Sequence, residues 1–187
     1  WSEFCDWYIE MAKGRLKDAD GKASVQRVLV TVLDGILRLV QPVIPFIADT
    51  LWQALNQAAP QDRTESAVIA PWPSFPESWR DPATETRLAR MQELVRGVRE
   101  VRNSYMVDAK TPLDTFVRCT DAVAADFRSR STFVGMLAGV GKFECGPSVG
   151  KPKQASTQLA PEFEVYVSLE GLIDPAAESK RLEKQLG

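Results

Sequence analysis

Between Ser24 and Val40 the apolar residues fall at Val25, Val28, Leu29, Val32, Leu33, Ile36, Leu37 and Val40. That is helical periodicity, and the stripe is too broad for a helix that rests on a single neighbour. A helix over about 25–40 thus carries a stripe wide enough to be buried on more than one side, and the rest of the chain is expected to supply what covers it. Ser24 is placed to cap this helix. Gln41-Pro42 ends it, because proline disfavours the α region in the residue before it.

The flanking segments answer that demand. Over 3–17, Phe4, Trp7, Tyr8 and Met11 follow the i, i+3, i+4, i+7 rule, with Ser2 as N-cap and Asp18–Lys22 as the following turn. Glu3 and Asp6 suit the start of that helix dipole, and Lys13, Arg15 and Lys17 its end. Pro45 opens a third helix, about 45–57, with Phe46, Leu51, Trp52 and Leu55 as its inward face. Three amphipathic helices with short connections predict an antiparallel bundle. Residues 58–83 contain Pro60, Pro71, Pro73, Pro76 and Pro82 and read as an extended crossing segment, pinned by Trp72, Phe75 and Trp79.

A fourth helix, about 83–105, carries the stripe Leu88, Met91, Leu94, Val95, Val98 and Val101, with Arg87, Arg90, Arg96, Arg99 and Arg102 on the remaining faces. The period then changes. Leu113–Cys119 alternates and reads as a strand; 121–129 and 133–138 read as helices, and 142–146 and 163–169 as further strands. The class is thus mainly α: a helical bundle followed by a small α+β subdomain. The organisation expected is 1–83 (bundle and proline-rich linker), 84–170 (long helix and subdomain), and a charged helical pattern that begins in 171–187.

Composition narrows the function. The chain has 44% hydrophobic and 26% charged residues, ordinary for a soluble globular protein. No apolar run is long enough to cross a bilayer, and no basic leader precedes an apolar run. Opening on Trp1 without Met, and stopping inside a helical pattern with no C-cap, reads as a piece of a longer protein. Cys5, Cys119 and Cys145 are odd in number and widely spaced, which fits a reducing cytosol rather than a disulfide framework. The absence of histidine removes the commonest general base and makes a zinc site improbable. Gly135-Met-Leu-Ala-Gly139-Val-Gly141 lacks the spacing and the Lys-Ser/Thr end of a phosphate loop. A net charge of −2 excludes a globally basic RNA-binding protein but not a local basic face.

Three segments together resemble the valyl-tRNA synthetases. They are Trp1-Ser-Glu-Phe-Cys-Asp-Trp-Tyr-Ile-Glu10, Pro42-Val-Ile-Pro-Phe-Ile-Ala-Asp-Thr-Leu-Trp52, and Leu169-Glu-Gly-Leu-Ile-Asp174 running into Glu178–Lys184. The second is shared with the isoleucine and leucine enzymes. Val98–Met106 is a weaker match to the family's long helix after the linker. The resemblance implies an anticodon-binding helical bundle, with the start of a coiled-coil arm at 171–187. It implies no catalysis here, since the nucleotide-binding signatures of the family are absent. The cofactors would be none in this piece and ATP with Mg in the full-length enzyme. The partners would be the tRNA for valine and the catalytic domain of the same chain, in a cytoplasmic, monomeric protein without a membrane.

In this family the end of the first matching helix approaches the anticodon loop. The resemblance therefore nominates Ile9 and Glu10, with Lys13 one turn on. An exposed aliphatic can pack on an unstacked base, a carboxylate can accept from a base amino group, and lysine can meet phosphate. Lys17, Arg96, Arg99 and Arg102 are candidate phosphate contacts. The alternatives are a solvated helix end for Glu10 and Lys13, and an ordinary charged face paired with Glu93 and Glu100 for the arginines. Rival readings of the whole chain are a helical protein–protein scaffold and the equivalent region of an isoleucyl-tRNA synthetase.

Overall fold

The structure, a computed structural model, describes residues 2–172. The chain forms two compact units, Trp1–Arg80 and the part from Asp81 onward. Each unit has its own core.

The first unit opens with a π-helical stretch, Glu3–Tyr8, continued by α1 (Ile9–Arg15). Ser2 is itself helical and makes no side-chain capping bond, contrary to the expected N-cap. The π turn is wider than an α turn and re-phases the helix. Residues five apart, Trp7 and Ala12, are the buried ones (6% and 3% exposed), whereas Phe4, Tyr8 and Met11 of the expected stripe are half-buried. Phe4 and Tyr8 stack, with ring centroids 5.8 Å apart.

α2 (Ala19–Val40) starts six residues before the expected position. Its cap is Asp18, not Ser24: the Asp18 carboxylate accepts the Asp20 N–H at 3.4 Å. The turn shrinks to Leu16–Asp18, and Gly21 sits where a Cβ would lie 3.3 Å from the Arg15 carbonyl. α3 (Pro45–Ala58) buries Ala48, Trp52 and Leu55. Phe46 and Leu51, expected inward, are 87% and 47% exposed. Phe46 lies opposite the Ala48–Trp52–Leu55 stripe on the helical wheel, and Leu51 lies at its edge.

Residues 59–80 are extended apart from two short 3₁₀ turns, Ala67–Ile69 and Glu77–Trp79. The aromatics do not pin the segment as expected: Trp72 and Trp79 are 66% and 62% exposed. Phe75 is partly seated, its ring lying where a Cβ on Gly35 would be 2.6 Å from Cζ. Polar bonds hold the segment instead. The Trp52 indole N–H donates to the Thr64 carbonyl at 3.0 Å. Asp49 accepts from Ser66 Oγ and the Ala67 N–H at 2.6 and 2.9 Å. Arg63 Nε donates to Asp34 at 2.8 Å, and Arg38 donates to both Asp34 and the Pro71 carbonyl. Ala67 thereby joins Leu37, Trp52 and Leu55 in the core.

The second unit begins at Asp81, whose carboxylate accepts the N–H groups of Ala83 and Thr84 and caps α4 (Pro82–Ser104). Met91, Leu94, Val95, Val98 and Val101 are all 0% exposed. Then come β1 (Leu113–Cys119), α5 (Asp121–Ser129), α6 (Ser131–Ala138), β2 (Val140–Gly146), β3 (Ala155–Leu159) and β4 (Phe163–Ser168). The sheet order is β2-β1-β4-β3, with β1 parallel to β2 and antiparallel to β4. α5 and α6 form the crossover that a parallel pair requires. The strand β3 is not expected from the sequence. Ala-Ser-Thr-Gln-Leu is short and mostly polar, and among the described residues its only strand partner is β4, at the sheet edge. The arm expected in 171–187 lies, from residue 173 on, outside the described residues.

Candidate nucleic-acid interface

α1 brings together the residues nominated at the end of the first helix. The Lys13 ammonium donates to both carboxylate oxygens of Glu10, at 2.6 and 2.7 Å. The two side chains are 59% and 42% exposed, so water and ligand reach both. An exposed pair of this kind contributes only about 0.2–1 kcal/mol and is readily exchanged for other partners. Ile9 is half-buried and Lys17 is exposed. Beneath them Trp7 is buried, and burial pushes the Tyr8 hydroxyl above its ordinary pKa, partly offset by Arg15. The aromatics thus serve as support for the helix.

Arg15, expected at the end of the first helix, is exposed, and two further cations, Lys22 and Arg27, are exposed on the first half of α2. The expected turn takes in Lys22, and the helix signal that moves it is Asp18-Ala-Asp20, an Asx cap.

The arginines of α4 are not equivalent. Arg90 is held by Glu162 (2.5 and 2.7 Å) and Asp126 (3.1 Å), and these partners keep its guanidinium firmly charged. Arg99 donates through Nε and Nη2 to the Leu137 carbonyl at 3.0 and 2.7 Å. Arg102 is only 9% exposed and donates to four carbonyls: Asp108 (2.6 Å), Thr111 (2.8 Å), Ala138 (3.2 Å) and Gly139 (3.1 Å). Leu137, Ala138 and Gly139 are the C-terminal end of α6, where helical carbonyls have no partner of their own and the dipole favours a cation. Arg99 and Arg102, three apart on α4, together cap α6. Gly139 adopts φ +65°, and a Cβ there would meet Arg102 Nη2 at 2.8 Å. Arg96 is exposed and lines a cleft of about 170 Å³ with Glu93, Glu100 and Gln158.

Cys119 and Cys145 are buried and free, and burial raises both thiols above their ordinary pKa. Cys5 is half-buried. Among the described residues no helix is long and apolar enough to cross a membrane.

A polar, solvent-reached helix end mounted on a packed helical unit fits the class of nucleic-acid-recognising helical domains. The chain belongs to the family described as the anticodon-binding domain of tRNA ligase, whose model matches residues 1–117. That span takes in the first unit, all of α4 and most of β1. Over its whole length the chain is also similar to valine–tRNA ligases. It is 35% identical to that of Syntrophotalea carbinolica and 37% identical to that of Fervidobacterium nodosum. It is 36% identical, over 98% of its length, to that of Thermotoga maritima. The chain spans about a fifth of the length of these relatives (21%, 20% and 20%).

Proposed function

We propose that the chain reads the anticodon region of the tRNA for valine, within a valine–tRNA ligase. Polypeptide outside these residues would attach valine to that tRNA with ATP and Mg. The observation that carries this reading is the end-to-end similarity to valine–tRNA ligases. The exposed Glu10–Lys13 pair on α1 supports the location of the site.

Ile9 packs on an unstacked base, Glu10 accepts from a base amino group, and Lys13 and Lys17 neutralise backbone phosphates. Arg96 serves as a further phosphate contact. The Arg99 donors that meet the Leu137 carbonyl, and the Arg102 donors that meet Asp108, Thr111, Ala138 and Gly139, are committed to the fold, which argues against a phosphate role for the two. The tRNA-facing part is the helical bundle of residues 1–83, and 84–170 supports it. On the same reading the protein is a cytoplasmic monomer in which this region docks on the catalytic domain and continues from residue 171 into a coiled-coil arm.

The test is an affinity titration of the full-length protein with the valine tRNA and with the same tRNA carrying a different anticodon. Glu10→Ala should cost roughly tenfold in discrimination, the scale of one lost base contact. Lys13→Ala should weaken both tRNAs alike and reduce the salt dependence by about one phosphate's worth. Unchanged discrimination in Glu10→Ala, or a wild-type protein indifferent to the anticodon, would overturn the assignment.

A further inference from the structure

We infer that the pocket between Trp79 and α2 takes an unpaired nucleotide of the tRNA, its base stacked on the indole and its phosphate met by Arg27. This rests on the functional reading just given, and it adds a contact that the α1 site does not supply.

Arg27, Val28, Thr31 and Val32 form one strip of α2, at i, i+1, i+4 and i+5. With Trp79 they line an open pocket of about 330 Å³ whose walls are almost wholly apolar. Trp79 is fixed from behind. Glycine at position 35, one turn beyond Thr31, leaves room for the Phe75 ring, which a Cβ there would approach to 2.6 Å at Cζ. Trp79 rests on Phe75 in turn, with centroids 5.9 Å apart and planes tilted by 36°. Its backbone N–H donates to the Pro76 carbonyl at 3.0 Å and closes the 3₁₀ turn. The indole is nevertheless 62% exposed. An aromatic seated on one side and bare over most of its surface is a preformed stacking platform, with little left to order when a ligand arrives.

Charge and size choose the occupant. Arg27 is exposed, and among the described residues it makes no hydrogen bond or ion pair. Between Asp20 and Asp34, α2 carries Lys22 and Arg27 and no acidic residue. Asp34 itself is taken by Arg38 and Arg63, and Glu77, two residues before Trp79, by Arg80. The rim therefore offers an unneutralised cation, which suits a phosphate. The apolar wall suits the flat face of a base, and stacking on an aromatic tolerates any base. Thr31 adds a hydroxyl with no partner among the described residues, able to donate to or accept from a base edge. A partner helix would need a groove with anchors over two turns. This pocket lies at the low end of the roughly 300–1,000 Å³ that ligand sites span, which is room for one flat group.

The experiment is zero-length ultraviolet crosslinking of the full-length protein to valine tRNA, with adducts mapped by mass spectrometry, beside binding titrations. Trp72, 66% exposed in the same unit, is the internal reference. Trp79 should carry a nucleotide adduct several-fold more abundant than Trp72 does. Trp79→Ala should weaken binding roughly tenfold and Trp79→Phe by much less, with matched and altered anticodons affected alike. Arg27→Gln should lower the salt dependence by about one phosphate's worth. No adduct above the Trp72 level, or unchanged binding by Trp79→Ala, overturns the inference. So does an equal adduct from free adenosine monophosphate at the same nucleotide concentration, which makes the pocket a mononucleotide site. Should Trp79→Ala fail to fold, the wild-type adduct and Arg27→Gln still decide. Anticodon discrimination by the wild type separates the two claims. A protein that discriminates anticodons and leaves Trp79 unlabelled overturns the pocket alone. One that labels Trp79 and ignores the anticodon overturns the functional reading and leaves the pocket as an RNA contact.

Discussion

α3 and α4 show the same helical periodicity in the sequence, and the structure treats them differently. Most of the apolar stripe of α4 is sealed: Met91, Leu94, Val95, Val98 and Val101 are all 0% exposed, and only Leu88 near the start is half-buried. In the first unit the core is narrow, built on Leu37, Trp52, Leu55 and Ala67, while Val28, Leu39, Phe46, Ile47 and Leu51 remain 41–87% exposed. Periodicity reports where apolar residues line up. It does not report whether the surface that covers them belongs to the same unit. The second unit satisfies its own helices, down to the carbonyls at the end of α6. The first keeps a run of large apolar side chains along α3 on its outside, where the second exposes only scattered ones such as Met106, Met136 and Leu159.

The sharpest test of that contrast compares leucines in the two helices. Leu94→Ala, in the closed core, should cost about 2–5 kcal/mol of stability. Leu51→Ala, half-exposed, should cost less than about 0.5 kcal/mol in the 187-residue chain. All five tryptophans (Trp1, Trp7, Trp52, Trp72 and Trp79) lie in the first unit, so indole fluorescence follows that unit, and hydrogen exchange of 113–119 follows the other. Equal costs would break the comparison. Next comes Arg102→Ala, expected to destabilise the second unit by roughly 3 kcal/mol because several buried carbonyls lose their donor. Arg102→Lys should not restore it, since one ammonium cannot span the fork. The tryptophan-reported transition should stay in place. Gly139→Ala should cost about 1–2 kcal/mol, from the left-handed backbone at φ +65° and the 2.8 Å approach to Arg102.

Much of the second unit is legible directly. β1 and α5 fall on their expected residues, because Leu113–Cys119 alternates cleanly and Thr120 caps the helix after it. β3 is not legible, since an edge strand of mixed polarity takes its register from β4, a partner remote in sequence. In the first unit, the phase of the first helix escapes the sequence because the i, i+3, i+4 rule assumes an α turn where the chain makes a π turn. The site is split in the same way. Exposure of Glu10 and Lys13 follows from their place on an amphipathic helix. The duties of Arg99 and Arg102 do not, because helical spacing on α4 looks identical whether the guanidinium meets phosphate or the end of another helix.

A smaller difference should appear in acid. Asp49 in the first unit is held below the usual carboxylate range by Ser66 and the Ala67 N–H. In the second unit Asp81 is lowered by Thr84, Glu162 by Arg90, and Glu164 by Arg118. Each folded pKa lies below its unfolded value, so each group's contribution is complete above the ordinary range of about 4 and disappears as pH falls through the folded value. With three such carboxylates against one among the described residues, the second unit should lose stability more steeply below that range. High salt should flatten the part that Glu162 and Glu164 supply, because their partners are arginines, and leave Asp49 and Asp81, held by neutral hydrogen-bond donors, nearly unchanged. Acid unfolding followed by indole fluorescence and by hydrogen exchange measures both slopes.

The smallest effect on stability is expected at the proposed site itself. Lys13 is 59% exposed and the carboxylate it meets, Glu10, is 42% exposed. Removing the ammonium leaves a carboxylate in water, which needs no protein partner, so Lys13→Ala should change the stability of the first unit by less than about 0.5 kcal/mol. The same substitution is expected to weaken tRNA binding by the full-length protein. A residue that matters for a ligand and not for the fold is what a recognition surface requires. A loss of more than about 1 kcal/mol in the fluorescence-reported transition would exceed what an exposed pair supplies. It would make Glu10–Lys13 a clasp on the re-phased helix, and the contrast between a self-satisfied unit and an outward-facing one would then lose its chemical half.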